Sequence, residues 1–293
     1  TLWCLACAGA WVALEMVVGR FLTGFPWNFL GVSQHQTLPL IQIADVTGVY
    51  GVSFLVVLGN MVVYLVLRGF VKSRGGQGEY PLRSGIVFLA LMLVAAVYGC
   101  LRLSHSAPGE TIKVALIQGN IDQSIKWDPA FRDATLSIYD RLSRQAAAGG
   151  VDLVVWPESA APFFFQEGGE PASRIMALAT GTRSPVVFGS PAYEDVNGER
   201  KLYNSAFLLS AEGKLLGRSD KAHLVPFGEY VPLAKALPFV RKLVEGVGDF
   251  SPGERLAALD TGRARIGVLV CFEGIFPELS RRYARAGAQV LVN

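Results

Sequence analysis

The hydrophobic pattern of this chain changes once, near residue 104. Before that point, three long apolar runs contain almost no charged side chains, at residues 1–19, 46–67 and 85–101, and Glu15 alone interrupts the first. About 20 apolar residues in a helix cross about 30 Å of hydrocarbon. The third run, with 17 residues, is by itself also compatible with a buried core helix. Three such runs within residues 1–103 predict a multi-span α-helical membrane region.

After that point, apolar segments of strand length alternate with segments of helical spacing. Strands are expected at residues 112–118, 152–156, 186–189, 203–210, 213–219, 263–270 and 289–293, and helices at 129–148, 172–179 and 276–286. This order predicts an α/β domain at residues 104–293, built as a layered α-β-β-α sandwich and truncated at its C-terminal end. Residues 226–253 are rich in proline and glycine, which indicates a long loop or lid of functional importance.

Composition agrees with this division. Of all residues, 51% are hydrophobic and only 17% are charged, which is too apolar for an ordinary soluble protein. Residues 1–103 carry 6 Lys or Arg and 3 Asp or Glu, whereas residues 104–293 carry 21 of each sign. The net charge of +3 therefore belongs to the apolar part. A neutral globular part argues against nucleic acid as a partner.

The charges also predict an orientation in the membrane. Residues 68–83 contain four basic side chains and one acidic one, and short basic loops stay on the cytoplasmic side. The globular part and the 20–45 loop would then lie outside the cytoplasm. The aromatic residues that open the 20–45 loop suit the membrane interface, although an ordinary aromatic-rich connection would have the same composition.

Neither end of the chain has the features of a natural terminus. No basic segment or cleavage site precedes the first apolar run, and residues 289–293 stop within an expected strand, so we interpret the chain as an internal fragment. Cys4, Cys7 and Cys100 lie in the apolar runs, and no second pair completes a zinc quartet. We therefore expect neither a disulfide framework nor a metal site.

The fourth cysteine has a different setting. Residues 266–270 form an apolar strand that stops at Cys271, and a helix is expected shortly after it. Enzymes of the α/β class commonly place a nucleophile at such a position. Taken alone, however, a cysteine after a strand is more often a small buried hydrophobe.

Two further side chains fit the needs of a thiol nucleophile, which are a base and a positive charge near the developing oxyanion. Glu158 ends an apolar strand and precedes an apolar segment, and a desolvated carboxylate suits a general base. Lys221 is followed by His223 and then by apolar residues, so a partly buried ammonium is expected there. Each of the two, taken singly, is more typical of a solvated surface residue.

The order of these three residues is similar to the Glu-Lys-Cys order of the nitrilase superfamily. Longer motifs resemble its membrane-bound branch, the apolipoprotein N-acyltransferases, and these are Gly24-Phe25-Pro26-Trp27, Trp156-Pro157-Glu158-Ser159, Tyr203-Asn204-Ser205, Lys221-x-His223-Leu224-Val225-Pro226-Phe227-Gly228-Glu229-Tyr230-Val231-Pro232 and Cys271-Phe272-Glu273. The resemblance extends over nearly the whole chain.

This resemblance implies acyl transfer at the outer face of the bacterial inner membrane, without a metal or another cofactor. Cys271 would take an acyl chain from the sn-1 position of a phospholipid as a thioester. The acceptor would be the α-amine of the diacylglyceryl-cysteine of an apolipoprotein. Glu158 would be the general base, and Lys221 would stabilise the oxyanion.

The resemblance also implies supporting residues around the site, namely Trp127, Asn204, His223, Glu229, Phe272 and Glu273. Phe272 departs from the family, in which a tyrosine often follows the nucleophile. The ring is kept but the hydroxyl is lost, which puts any hydrogen bond from this position in doubt.

Two other functions remain open at this point. The first is a membrane-tethered amidase of the nitrilase type, which would use the same three residues to hydrolyse small carbon–nitrogen substrates. The second is a membrane anchor with a degenerate domain used for binding. The second would be indicated by loss of one of the three residues, and all three are present.

Overall fold

The computed structural model describes residues 1–73, 81–105, 109–230 and 250–293. The chain divides into two compact units, Thr1–Gly109 and Glu110–Asn293. Most of the predicted 226–253 lid and part of the basic 68–83 loop lie outside the described residues, so both stay predictions.

The first unit is helical. Its helices are α1 (Leu2–Val18), α2 (Leu38–Ile41), α3 (Ala44–Thr47), α4 (Val49–Ser73) and α5 (Leu82–Ser104), with 3₁₀ turns at Phe21–Thr23 and Leu30–Gln34. By length and composition, α4 over Val49–Val71 and the whole of α5 could cross a membrane. Helix α1 is apolar but has 17 residues.

A buried carboxylate anchors the connection that follows α1. Glu15 is buried in this apolar helix, and its Oε1 accepts hydrogen bonds from Trp11 Nε1 at 3.0 Å and from the Leu30 amide at 2.8 Å. The next amide, that of Gly31, donates to Ser53 Oγ of α4 at 2.8 Å. A buried polar group is expected to find such partners, so the single charge within the first apolar run serves to hold the aromatic 20–45 segment.

The second unit contains eight strands and three α-helices among its described residues. The strands are β1 (Val114–Leu116), β2 (Leu153–Val155), β3 (Val186–Val196), β4 (Glu199–Leu209), β5 (Leu215–Asp220), β6 (Leu259–Asp260), β7 (Arg265–Val268) and β8 (Val290–Val292). The helices are α6 (Arg132–Ala147), α7 (Gly169–Thr182) and α8 (Pro277–Arg285), with 3₁₀ turns at Pro129–Phe131, Phe165–Glu167 and Cys271–Ile275. Each helix and strand expected from the sequence of this unit is present.

The strands form two sheets that pack against each other. The first has the order β1-β2-β3-β4-β5, parallel from β1 to β3 and antiparallel from β3 to β5, and the second has the order β6-β7-β8. Helices α6 and α7 cover the outer face of the first sheet, and α8 packs beyond the second. The predicted α-β-β-α layering is confirmed.

Strand alternation explains this layering. Val154 of β2 and Phe188 of β3 point toward α6 and α7, where they pack with Leu136 and Ile175. The neighbouring positions of the same strands point to the opposite face and pack against the second sheet. Because successive side chains of a strand alternate between faces, strands that are apolar throughout must be covered on both sides.

The β3–β4 hairpin is longer than the sequence pattern predicted. Strand β3 runs on to Val196, and β4 begins at Glu199, joined by Asn197 and Gly198, whose φ angles are +53° and +84°. Asn-Gly between two strands is a strong hairpin signal. The residues on both sides of the Asn-Gly turn are mostly polar, so the outer part of the hairpin has no apolar face. The hydrophobic pattern therefore did not predict these strand ends.

We expect the aromatic cluster between the first sheet and its helices to dominate the stability of this unit. Phe188 is fully buried and contacts the rings of Trp156, Phe165 and Phe207 at centroid distances of 6.1, 5.0 and 5.8 Å. Phe188→Ala should cost about 3–5 kcal/mol of unfolding free energy, measured as a lower thermal midpoint. The control Leu216→Ala removes an exposed side chain and should change stability by less than about 0.5 kcal/mol. Equal effects of the two variants would contradict this assignment.

Candidate active site

Cys271 lies on a strained turn between β7 and α8. Its φ is +55°, a left-handed conformation that is uncommon for a residue with a side chain, and it opens the 3₁₀ turn Cys271–Ile275. The residue is exposed, unlike the strand before it. Cys271 is therefore not the small buried hydrophobic residue that the other interpretation of this position predicted. Strain of this kind clusters at functional sites, where it fixes the direction of a side chain.

Glu158 faces this cysteine from the first sheet. It follows the end of β2 by three residues, is partly buried, and its carboxylate acts on the Cys271 thiol. Gly189 of β3 lies against the Glu158 backbone. A Cβ at residue 189 would be 2.8 Å from Glu158 Cα and 2.3 Å from the Ser159 amide nitrogen. Only a glycine allows the Glu158 backbone to lie this close to β3.

One amide group joins two carboxylates of the site. Asn204, on β4 and 7% exposed, donates through Nδ2 to Glu158 Oε1 at 2.7 Å and to Glu229 Oε1 at 2.8 Å. An amide nitrogen has two hydrogens, so both donors are used. Asn204 therefore fixes the orientation of Glu158 and its separation from Glu229.

Lys221 follows β5 directly and is 1% exposed. Its Nζ lies 2.8 Å from Glu229 Oε2, and the same oxygen accepts a hydrogen bond from the Val225 amide at 2.9 Å. A buried ammonium needs such a partner, because an unpaired buried charge is very costly. The pattern that predicted a partly buried lysine is confirmed, and Glu229 is the group that makes its burial possible.

Glu273 ties the cysteine turn to the lysine segment. It is 1% exposed, and its carboxylate accepts hydrogen bonds from the amides of Val270 at 2.8 Å, Ala222 at 2.7 Å and His223 at 2.9 Å. Burial raises the pKa of Glu273, and these amides and the charge of Lys221 oppose the rise. The carboxylate thus connects the residues before Cys271 to those after Lys221.

The other predicted supporting residues are less closely connected. His223 packs on Phe276 at a centroid distance of 3.8 Å and approaches Phe272 at 5.8 Å. Burial lowers the pKa of His223, and the charge of Lys221 lowers it further. Trp127 is 50% exposed. Among the described residues, no recorded hydrogen bond or ring contact joins Trp127 to the thiol or to Glu158.

Sequence reasoning missed one cation of this site. The Nζ of Lys126 donates to the backbone carbonyl of Glu158 at 3.0 Å, and its charge interacts with both Glu158 and Cys271. Burial lowers the pKa of Lys126, and its interactions with Glu158 and Cys271 oppose the effect. The available signal was its place beside Trp127, but a lysine in a polar loop has no pattern that reveals burial.

The electrostatic balance keeps the resting thiol protonated. Burial raises the pKa of Cys271 above the ordinary value, and the charge and hydrogen bond of Glu158 raise it further. Lys221 and the Phe272 amide lower it. A protonated thiol that donates to a carboxylate can lose its proton to that carboxylate when an electrophile arrives, which is the arrangement that nucleophilic catalysis by cysteine requires.

Two family models match this chain. Residues 113–293 match the family model for carbon-nitrogen hydrolase, and residues 1–62 match that for the apolipoprotein N-acyltransferase N-terminal domain. An apolipoprotein N-acyltransferase of Geobacter metallireducens is 60% identical over 285 residues, which is 97% of this chain and 54% of that protein. Another, of Rickettsia prowazekii, is 32% identical over 274 residues, which is 92% of this chain and 53% of that protein.

Among solved structures, a carbon-nitrogen hydrolase from Helicobacter pylori G27 is similar with a TM-score of 0.44 and 21% sequence identity, covering 61% of this chain and 58% of that one.

The chain belongs to the carbon-nitrogen hydrolase family, whose model matches more than half of its residues. Its resemblance to the apolipoprotein N-acyltransferases, predicted from the motifs, is confirmed. The chain spans about half the length of the curated relatives it matches.

Replacing Glu158 with Gln should lower the pKa of the Cys271 thiol, because both the charge and the hydrogen bond of Glu158 raise it. Alkylation by neutral iodoacetamide reports this pKa, since the thiolate is the reactive form, and peptide mapping isolates Cys271 from the other cysteines. Glu212→Gln, in the turn before β5, is the matched control and should leave the profile unchanged. A profile for Glu158→Gln that moves to higher pH would contradict the geometry.

Proposed function

We propose that this chain is part of an apolipoprotein N-acyltransferase that moves an acyl chain from the sn-1 position of a phospholipid to the α-amine of a diacylglyceryl-cysteine. The observation that carries the proposal is that Glu158, held by Asn204 at 2.7 Å, and buried Lys221 both act on the Cys271 thiol. Relatives named apolipoprotein N-acyltransferase support the choice of reaction.

In the first half-reaction, Glu158 takes the thiol proton and the Cys271 sulfur attacks the sn-1 ester carbonyl. A carbon–sulfur bond forms, and negative charge develops on the carbonyl oxygen. We assign its stabilisation to Lys221, whose ammonium is held in a dry site where such interactions are strong. Collapse of the tetrahedral intermediate breaks the ester carbon–oxygen bond. The departing lysophospholipid oxygen takes the proton from Glu158, which leaves a thioester on Cys271.

In the second half-reaction, the neutral α-amine of the acceptor attacks the thioester carbonyl. A carbon–nitrogen bond forms, Glu158 accepts the amine proton, and the carbon–sulfur bond breaks. The sulfur then recovers a proton from Glu158, so the thiol and the carboxylate return to their starting states. No net oxidation and no cofactor are required by this sequence of steps.

We assign supporting roles to the residues that hold these groups. Asn204 orients Glu158, and Glu229 pairs with the buried Lys221. Glu273 holds the Cys271 turn against the Lys221 segment. His223 and Phe272 shape the apolar side of the turn. Trp127 we assign to the substrate side, because an exposed aromatic ring suits contact with a lipid or peptide.

The apolar helices fit lipid substrates. Exposing an acyl chain to water costs about 0.8 kcal/mol for each CH₂, so an enzyme with two lipid substrates benefits from a place in the membrane. We infer that residues 1–103 form a multi-pass membrane region of the bacterial inner membrane, with residues 20–45 at the interface. The basic 68–83 segment favours the periplasmic side for the catalytic domain, residues 104–293.

The test uses the full-length protein in detergent with a labelled phospholipid. Intact mass should show an acyl adduct on the wild-type protein, no adduct on Cys271→Ala, and discharge of the adduct by a diacylglyceryl peptide. Cys100→Ala, which removes a cysteine of α5, is the matched control and should keep the adduct. Absence of any adduct, together with ammonia release from a small amide, would replace the transferase with the tethered amidase.

A second prediction concerns the support of Glu158. Gly189→Ala places a methyl group against the Glu158 backbone, and a small displacement of a catalytic group costs up to about 100-fold in rate. We expect the rate of thioester formation to fall about 10- to 100-fold. Gly149→Ala, where a Cβ meets nothing within 4 Å, should keep the wild-type rate. A wild-type rate for Gly189→Ala would exclude Glu158 from this step.

A further inference from the structure

A second lysine lies at the base of the site and has no place in the scheme above. Lys126 is partly buried, and its Nζ donates to the Glu158 backbone carbonyl at 3.0 Å. An ammonium carries three donors, and this is the single hydrogen bond recorded for it among the described residues. None of those residues places a carboxylate within 4 Å of its Nζ.

The two lysines of the site therefore differ in how their charge is balanced. Lys221 forms an ion pair with Glu229 at 2.8 Å, which compensates most of its charge. Lys126 has no such pair among the described residues, and its charge acts on Glu158 and on Cys271. When Glu158 takes the thiol proton, the negative charge moves from the carboxylate to the sulfur. A nearby cation that interacts with both groups stabilises the charge throughout this transfer.

We propose that Lys126 is a positioning residue of the site, whose positive charge, held by the Glu158 carbonyl, stabilises the Cys271 thiolate. It acts through the thiol–carboxylate pair and needs no contact with substrate. The inference deepens the proposed function and rests on it for the role of the thiolate.

Several other charged groups surround the thiol and enter the same balance. Glu158 faces it directly from the end of β2, and Lys221 faces it from the end of β5. Three further groups affect the thiol indirectly, because each interacts with Lys221: Glu229, Glu273 and His223. Lys126→Arg keeps the positive charge, so a comparison of this variant with Lys126→Met separates the charge of Lys126 from any displacement of these groups.

The experiment measures the pH profile of Cys271 alkylation by iodoacetamide in the full-length protein, without lipid. Lys126→Met should raise the apparent pKa of the thiol, because a positive charge that acts on it is removed, so alkylation should move to higher pH. Lys126→Arg, which keeps the charge, should stay close to wild type. Lys214→Met, an exposed lysine of the β4–β5 turn, is the matched control and should have no effect.

Three outcomes would overturn the inference. The first is an unchanged profile in a folded Lys126→Met protein. The second is an equal shift in Lys126→Arg, which would show that a contact specific to the ammonium matters and not its charge. The third is an unchanged alkylation profile together with a higher KM for phospholipid and an unchanged KM for an uncharged ester. This result would assign Lys126 to binding of the donor phosphate. Lys126→Gln repeats the test if the Met variant does not fold. Alkylation needs no acyl donor, so failure here is distinct from failure of the proposed acyl transfer.

Discussion

The site depends above all on the packing of two sheets against each other. Glu158 and Lys221 follow strands of the first sheet, whereas Cys271 follows a strand of the second. The apolar layer between the sheets fixes how these ends meet, through residues such as Leu208 and Ile266, both fully buried. Protein interiors are packed as densely as organic crystals. The layer therefore keeps Glu158 and Lys221 near the thiol, on which both act.

Burying the charged groups of the site destabilises the protein, and their hydrogen bonds offset this effect. Each carboxylate of the site has partners from more than one segment: Glu229 binds Lys221, Asn204 and the Val225 amide, and Glu273 binds three backbone amides. Removing one partner from such a network leaves a buried charge unpaired. The network therefore restrains the segments on both sides of the thiol, and catalysis benefits because donors arranged in advance need no reorganisation during the reaction.

Lys221 and Lys126 differ in their burial and in the partners of their charge. Lys221 is fully buried and paired, which suits a group that must stay in one position while an oxyanion forms nearby. Lys126 is partly buried and donates to the Glu158 carbonyl, and its charge acts on both Cys271 and Glu158. Such a division between a fixed donor and a general electrostatic support would let a thiol of raised pKa react at neutral pH.

By itself, the sequence determined the two-part organisation and the order of strands and helices, because apolar periodicity and strand ends are local properties of the chain. It also predicted Glu158, Lys221 and Cys271 as the residues of the site. The tertiary structure alone decided which of the acids pairs with Lys221, how Asn204 bridges two carboxylates, and that Lys126 reaches the back of Glu158. Those contacts join residues far apart in sequence, from 8 residues for Lys221 and Glu229 to 46 for Asn204 and Glu158. Their geometry follows from sheet register and layer packing, which no local pattern of residues specifies.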